Sequence, residues 1–397
     1  MSTPLPPLPL PPGIRSRMLP GINGLDMHLL EAGEPVPGRL PVLLLHGFPE
    51  LAYSWRKLMP ALAAAGHHVL APDLRGYGRT TGWDRRYEGD LGSFRFLNLV
   101  RDCLALLHAL GIEAVNVVGH DFGSPLAAWC ALVRPDVFRS LVLMSAPFGG
   151  PAPLAASTGA APAARPLAAA QAGASRPVPS EAATRMDTAL GELKPPRKHY
   201  QWYYATRRAD ADMRLCPQGV HDFLRAYYHH KSADWPGNQP FELAAWSASE
   251  LAKLPTYYVM DRDLDMPATV APHMPSAAAI AACRWLPDDE LRVYSGEYTR
   301  TGFQGGLQWY RCGITTIQQA ELQTFAGRRI EVPAMFIAGA QDWGIHQRPG
   351  ELRRMAESGC ARFEGVHLVP GAGHWVQQEQ PEAVSALLRD FLGRRAG

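Results

Sequence analysis

The chain has 397 residues, 47% of them hydrophobic and 19% charged, with a net charge of +2. That supplies a large core, in one big domain or two, and its balanced charge gives no reason to expect nucleic acid or an anionic membrane as partner. The six cysteines (Cys103, Cys130, Cys216, Cys283, Cys312 and Cys360) show no C-x-x-C spacing, so neither a zinc site nor a disulfide framework is expected and a cytoplasmic protein with reduced thiols is the default.

Residues 1–13 read as a flexible Pro-rich arm; prolines interrupt its leucines and no basic region precedes them, unlike a signal peptide. No stretch approaches the roughly 18 apolar residues of a membrane span. Segments near Ile14–Leu19 and Gly24–Glu31 suit an antiparallel edge. Strand-like runs then follow at Pro41–Leu45, His67–Ala71, Val115–Val118, Ser140–Met144, Pro333–Ala338 and Gly365–Val369. Helical patterns lie between and beside them, at Tyr53–Ala64, Ser93–Leu110, Pro125–Val133, Glu351–Glu357 and Glu382–Leu392. Alternation of this kind predicts an α/β fold, a mostly parallel sheet flanked by helices.

The rhythm stops near Pro147 and resumes near Arg328. Residues 151–185, rich in Ala, Pro, Ser and Gly, are expected to be flexible or a surface excursion. From 200 to 310 the chain is aromatic, with 10 of the 13 tyrosines and 5 of the 10 tryptophans. The predicted organisation is therefore a core domain of residues 14–146 and 321–397, split by an insert at 147–320.

The segment Val115–Ser124 runs an apolar strand into Gly119-His120-Asp121-Phe122-Gly123 and then into a helix. This is a nucleophile-elbow pattern with Asp121 where serine commonly stands, the small residues permitting a sharp turn. Alone, such an Asp reads equally well as a helix cap. Two further segments change the balance. Phe336–Gln341 leads from a strand into Asp342, and Val369–Gly373 leads from a strand into His374. Nucleophile, acid and base in this order, each after its strand, point to one shared site. Leu43–Leu45 leads into His46-Gly47-Phe48-Pro49, so the Phe48 and Phe122 amides are the expected oxyanion donors. His46 and Asp73 read as groups that brace loops, and His120, beside Asp121, as a packing residue. No cluster has metal-ligand spacing, and neither a metal nor a cofactor is expected.

Taken together, HGFPELAYSWRKLMPALAAAGHHVLAPDLRGYGRT, GHDFG and GAGHW closely resemble the soluble epoxide hydrolases of the α/β-hydrolase superfamily. The likeness covers about residues 40–146 and 330–392. It implies an α/β-hydrolase fold with an inserted helical cap, an Asp–His–Asp triad, and two cap tyrosines that donate to the epoxide oxygen. Tyr310, in Thr301–Arg311, looks like the second of these; Tyr203 looks like the first, with Tyr200 and Tyr204 as the other registers open in the run Tyr200–Tyr204. Two departures stand out: the insert is longer than the family pattern, and Phe122 occupies a position usually held by tryptophan.

A carboxylate nucleophile suits displacement at saturated carbon, because the resulting ester is one the same site can hydrolyse. A departing epoxide oxygen needs an acid, which a phenol can be while un-ionised at neutral pH. The expected reaction is hydrolysis of a small apolar epoxide to a vicinal diol, without a cofactor. The alternatives are a hydrolytic dehalogenase using the same Asp and a non-catalytic binder of a hydrophobic ligand. Oligomeric state is not legible.

Overall fold

The computed structural model of the protein describes residues 5–154 and 179–395. Eight strands form the main sheet: β1 (Ile14–Ile22), β2 (Leu25–Ala32), β3 (Val42–Leu45), β4 (Val69–Pro72), β5 (Val115–His120), β6 (Phe138–Met144), β9 (Ile330–Gly339) and β10 (Cys360–Val369). Their order is β1-β2-β4-β3-β5-β6-β9-β10. The β1–β2 and β2–β4 pairs are antiparallel and every later pair is parallel. The N-terminal hairpin is thus the antiparallel edge that its two apolar runs suggest.

Strand alternation divides the core between the two faces. Leu43, Leu45 and Val117 join a buried cluster with helices α2 (Phe96–Ala109) and α3 (Gly123–Val133). Val42, Leu44 and Val118 join the opposite cluster, with α1 (Met59–Ala64) and the C-terminal helix Pro381–Gly393. Buried on both sides, these short strands are continuously apolar, as a parallel sheet requires.

Several expectations are corrected. Residues 5–13 do not stand off as an arm: Leu8 and Leu10 pack against the core, and Pro9 O accepts from the Tyr53 hydroxyl at 3.1 Å. Burying these leucines repays ordering the segment. The run Tyr53–Ala64 is two pieces, a 3₁₀ turn at Ala52–Trp55 and α1. β10 begins at Cys360, five residues before the predicted start, because it pairs with β9 from Ile330 onward. Of the segment 151–185, residues 155–178 lie outside the described residues, while Glu181–Gly191 forms helix α4, capped by the Ser180 hydroxyl.

Between β6 and β9 the chain leaves the sheet and builds a cap. An antiparallel pair, β7 (Arg197–His199) with β8 (Val259–Asp261), sits beside α5 (Tyr200–Tyr204), α6 (Arg208–Arg214) and α7 (Gly219–Lys231). Two more helices, Asp288–Thr301 and Gln304–Ile314, bring the chain back. Among the described residues no helix is long and apolar enough to cross a membrane.

Candidate active site

Asp121 follows β5 with φ of 51°, a left-handed conformation rare for a residue with a side chain. The turn is possible because its neighbours are small. A Cβ on Gly119 would run into the Gly123 carbonyl, and one on Gly123 into the Leu45 carbonyl of β3. The strain projects the Asp121 carboxylate above the sheet, where the Phe48 amide donates to Oδ1 at 2.9 Å. The Phe122 amide lies one residue beyond, at the start of α3.

The loops after β9 and β10 bring in the other two members. His374 Nδ1 faces Asp342 at 3.1 Å, and its Nε2 lies 3.4 Å from Asp121 Oδ2. Asp342 is itself held by the Gly344 amide at 2.7 Å. His374 Nε2 is buried and makes no regular hydrogen bond to the protein, so it is the unengaged nitrogen of the ring. Slack contacts of this kind are common before substrate tightens a site.

Charge follows geometry. Burial opposes ionisation of Asp121, but the His374 imidazole and the charges of Lys231 and His120 outweigh it and hold its carboxyl well below the usual range. Burial likewise opposes ionisation of Asp342, and His374 with the Gly344 amide overcomes it, so its pKa is lowered. For His374, burial and Lys231 push the pKa down while Asp342 and Asp121 push it up, with a net rise. Asp121 is therefore held as an anion.

The backbone of the His374 loop is tightly tied. His120 spans the Glu50 carboxylate at 2.6 Å and donates from Nε2 to the His374 carbonyl at 2.7 Å. The Ser145 hydroxyl donates to the same carbonyl at 3.1 Å. Glu379 accepts from the amides on either side, Gly373 at 2.9 Å and Trp375 at 2.9 Å. His46 and Asp73 also act on loops: His46 Nε2 accepts from the Leu74 amide at 3.1 Å, and Asp73 accepts from the Ala52 and Arg79 amides at 2.8 and 2.9 Å.

Tyr310 comes down over the site on the helix Gln304–Ile314. Gly305 and Gly306 let that helix approach the core, since a Cβ at either would strike Gly76 or Phe48. The Tyr310 ring packs edge-on against Phe122 at 4.5 Å and Phe48 at 5.4 Å, the two residues whose amides adjoin Asp121. Burial, Tyr200 and Asp121 raise its pKa well above that of an ordinary phenol, so the hydroxyl stays protonated.

Tyr203 is not brought to this place. Its hydroxyl donates to Asp212 Oδ2 at 2.9 Å, and the Lys198 ammonium stands over its ring. The reason is helical phase. On α5, Tyr200 and Tyr204 are four residues apart and share the face toward Tyr310, at ring distances of 5.8 and 4.9 Å. Tyr203 is turned about 100° from Tyr204. The phenol of Tyr200 is buried near Asp121, which after burial itself is the main influence raising its pKa; its hydroxyl donates to Gln347 Oε1 at 3.0 Å, in the loop after Asp342. Tyr200 is thus one of the registers that the sequence left open, and α5 turns it toward Tyr310. Glu50, Glu379 and Lys231 are the groups that sequence reading missed, and the only signal for them was a charge inside an otherwise apolar segment.

Among the described residues no group of His, Cys, Asp and Glu is arranged to hold a metal ion. A cavity of about 290 Å³ opens on the cap between Arg225, His229, Asp234, Cys283 and Trp285; none of the triad lines it.

Comparison with known proteins agrees with this geometry. A model of the alpha/beta hydrolase fold family matches residues 41–381. Epoxide hydrolase A of Mycobacterium tuberculosis is 33% identical over 380 residues, covering 96% of this chain and 98% of the relative. Epoxide hydrolase B of the same organism is 30% identical, covering 94% and 96%. Among solved structures, an epoxide hydrolase from an endophytic Streptomyces superposes with a TM-score of 0.71 at 29% identity, covering 96% of each chain. Potato (Solanum tuberosum) epoxide hydrolase I does so with a TM-score of 0.69 at 28% identity, covering 96% of this chain and 99% of that one. With fold, elbow and near full-length likeness in agreement, the chain belongs to the epoxide hydrolases of the α/β-hydrolase superfamily, hydrolases that act on ether bonds.

Proposed function

We propose that this enzyme converts a small apolar epoxide and water to a vicinal diol through an alkyl ester on Asp121. The observation that carries this reading is an anionic carboxylate at the strained elbow, under a buried phenol and against an amide. Asp121 Oδ attacks an epoxide carbon, the C–O bond breaks, and the oxygen takes a proton from Tyr310 or Tyr200. His374, steadied by Asp342, then removes a proton from water, and the hydroxide adds to the ester carbonyl carbon. The Phe48 and Phe122 amides hold the tetrahedral oxyanion. Collapse breaks the ester bond; the departing alkoxide takes the proton held by His374 and leaves as the diol, and the Asp121 carboxylic acid returns its proton to the tyrosinate, restoring the site. Rings of Phe48, Phe122, Tyr204 and Tyr310 around the nucleophile favour an apolar substituent. A cytoplasmic location belongs to the same reading, supported by six free cysteines.

A single turnover in ¹⁸O-water with enzyme in excess tests the nucleophile. Unlabelled diol and label in Asp121 are expected, because the first oxygen added comes from the carboxylate. Labelled diol at the first turnover would mean that His374-activated water attacks directly, and would overturn the ester pathway.

A further inference from the structure

Lys231 ends α7, and its side chain is buried, with only 3% of the residue exposed. Four rings surround its Nζ: Tyr258 at 4.8 Å, Tyr227 at 5.4 Å, Trp375 at 5.4 Å and Tyr257 at 5.7 Å. Among the described residues the ammonium makes no ion pair and no hydrogen bond. A buried cation is ordinarily paired with a carboxylate. Among the described residues this one touches ring faces and no carboxylate, and ring faces stabilise charge without neutralising it.

Its placement relative to the triad is rigid. The Lys231 carbonyl accepts the His374 amide at 2.9 Å. Two residues on, the Ala233 amide donates to Glu379 at 2.7 Å, the same carboxylate that grips Gly373 and Trp375. The Tyr228 carbonyl accepts from the Trp375 indole at 2.9 Å. Three carboxylates from three core loops attract the ammonium: Asp121 after β5, Asp342 after β9 and Glu50 after β3. His374 and His230 are the cationic-capable groups that face it, and Tyr227, Tyr257 and Tyr258 are the phenols.

We propose that Lys231 is a positioning residue that acts through His374, its caged ammonium disfavouring the imidazolium so that the ring is free to take a proton from water. Asp121 and Asp342 flank His374 and both favour the protonated ring, which cannot serve as a base. Lys231 is the cationic side chain that opposes them. Alkylation turns Asp121 into a neutral ester, which removes one of the two carboxylates that favour the imidazolium and leaves Asp342 and Lys231 as the opposed charges acting on the ring.

The inference rests on His374 as the base, which H374Q tests separately by accumulating the alkyl-enzyme. The experiment compares K231M, which keeps bulk and removes charge, with K231R, which keeps charge. Single-turnover decay of the alkyl-enzyme is followed across pH, and the His374 ring is titrated by NMR in the free enzymes. In K231M the acid limb of ester hydrolysis and the His374 titration should both move up by on the order of one pH unit, while K231R stays near wild type. At a pH one unit below the wild-type midpoint, K231M should hydrolyse the ester several-fold more slowly. Circular dichroism verifies folding, and K231Q replaces K231M if the latter does not fold. An unmoved acid limb, or an equal loss at every pH, would reduce Lys231 to packing and sink the proposal. Failure of H374Q to trap the ester would remove the base assignment first, and this inference with it.

Discussion

Replacing the cap tyrosines one at a time separates the phenols that face Asp121 from the one that does not. The Tyr310 and Tyr200 hydroxyls are buried near the nucleophile, whereas the Tyr203 hydroxyl is engaged with Asp212, at 2.9 Å. A hydrogen bond to a developing alkoxide is worth about 1.5–3 kcal/mol, and about 1.4 kcal/mol is tenfold in rate. Y200F and Y310F should therefore each slow alkylation by roughly 10- to 150-fold, and the double variant should nearly abolish it. Y203F loses one partly exposed bond, so its alkylation rate should stay within about threefold of wild type, with stability lower by about 1 kcal/mol. Stopped-flow fluorescence suits the measurement, since Trp375 adjoins His374 at 4.7 Å and Trp309 adjoins Phe122 at 5.7 Å. A tenfold loss in Y203F beside a near-normal Y200F would refute the argument from helical phase and restore Tyr203 as the first donor.

Three further outcomes are expected. H374Q should alkylate but fail to hydrolyse, and intact-protein mass spectrometry should find the substrate's mass added to Asp121; slow turnover with no adduct counts against the two-step scheme. G123A should lose about 3 kcal/mol or more of stability, read from the urea midpoint, because its Cβ meets the Leu45 carbonyl and not a movable side chain. K231M should be more stable than wild type at pH 7. Burial pushes the Lys231 ammonium down to about 8 from its ordinary value of 10.5, so the favourable contribution present above 10.5 is lost as pH falls through 8. The gain is at most about 3 kcal/mol at pH 7 and should vanish between pH 8 and 10.5, as urea titrations at pH 7 and pH 10 would reveal. An equal midpoint at pH 7 would mean that the ring cage fully offsets the burial.

The sequence by itself determined the alternating sheet and the neighbourhood of Asp121, Asp342 and His374. A turn as tight as the elbow demands small residues at fixed offsets, and loops that leave the same edge of a parallel sheet must meet. Register on a short helix was beyond it. Tyr200, Tyr203 and Tyr204 are alike in type, and only the packing of α5 against Tyr310 decides which of them faces inward. The arm was misread because composition reports how a Pro-rich chain behaves in solvent, not that Leu8 and Leu10 find a surface to cover. Lys231, Glu50 and Glu379 were illegible for a stronger reason. A buried charge is defined by what surrounds it, and the Glu50 carboxylate has partners at His120, Gln377 and Gln378. Lys231 takes its cage from its own helix, from Tyr257 and Tyr258, and from Trp375 beyond β10. Such environments exist only once cap and sheet close on one another, because a low-dielectric interior is made by the fold and not carried by any one segment of the chain.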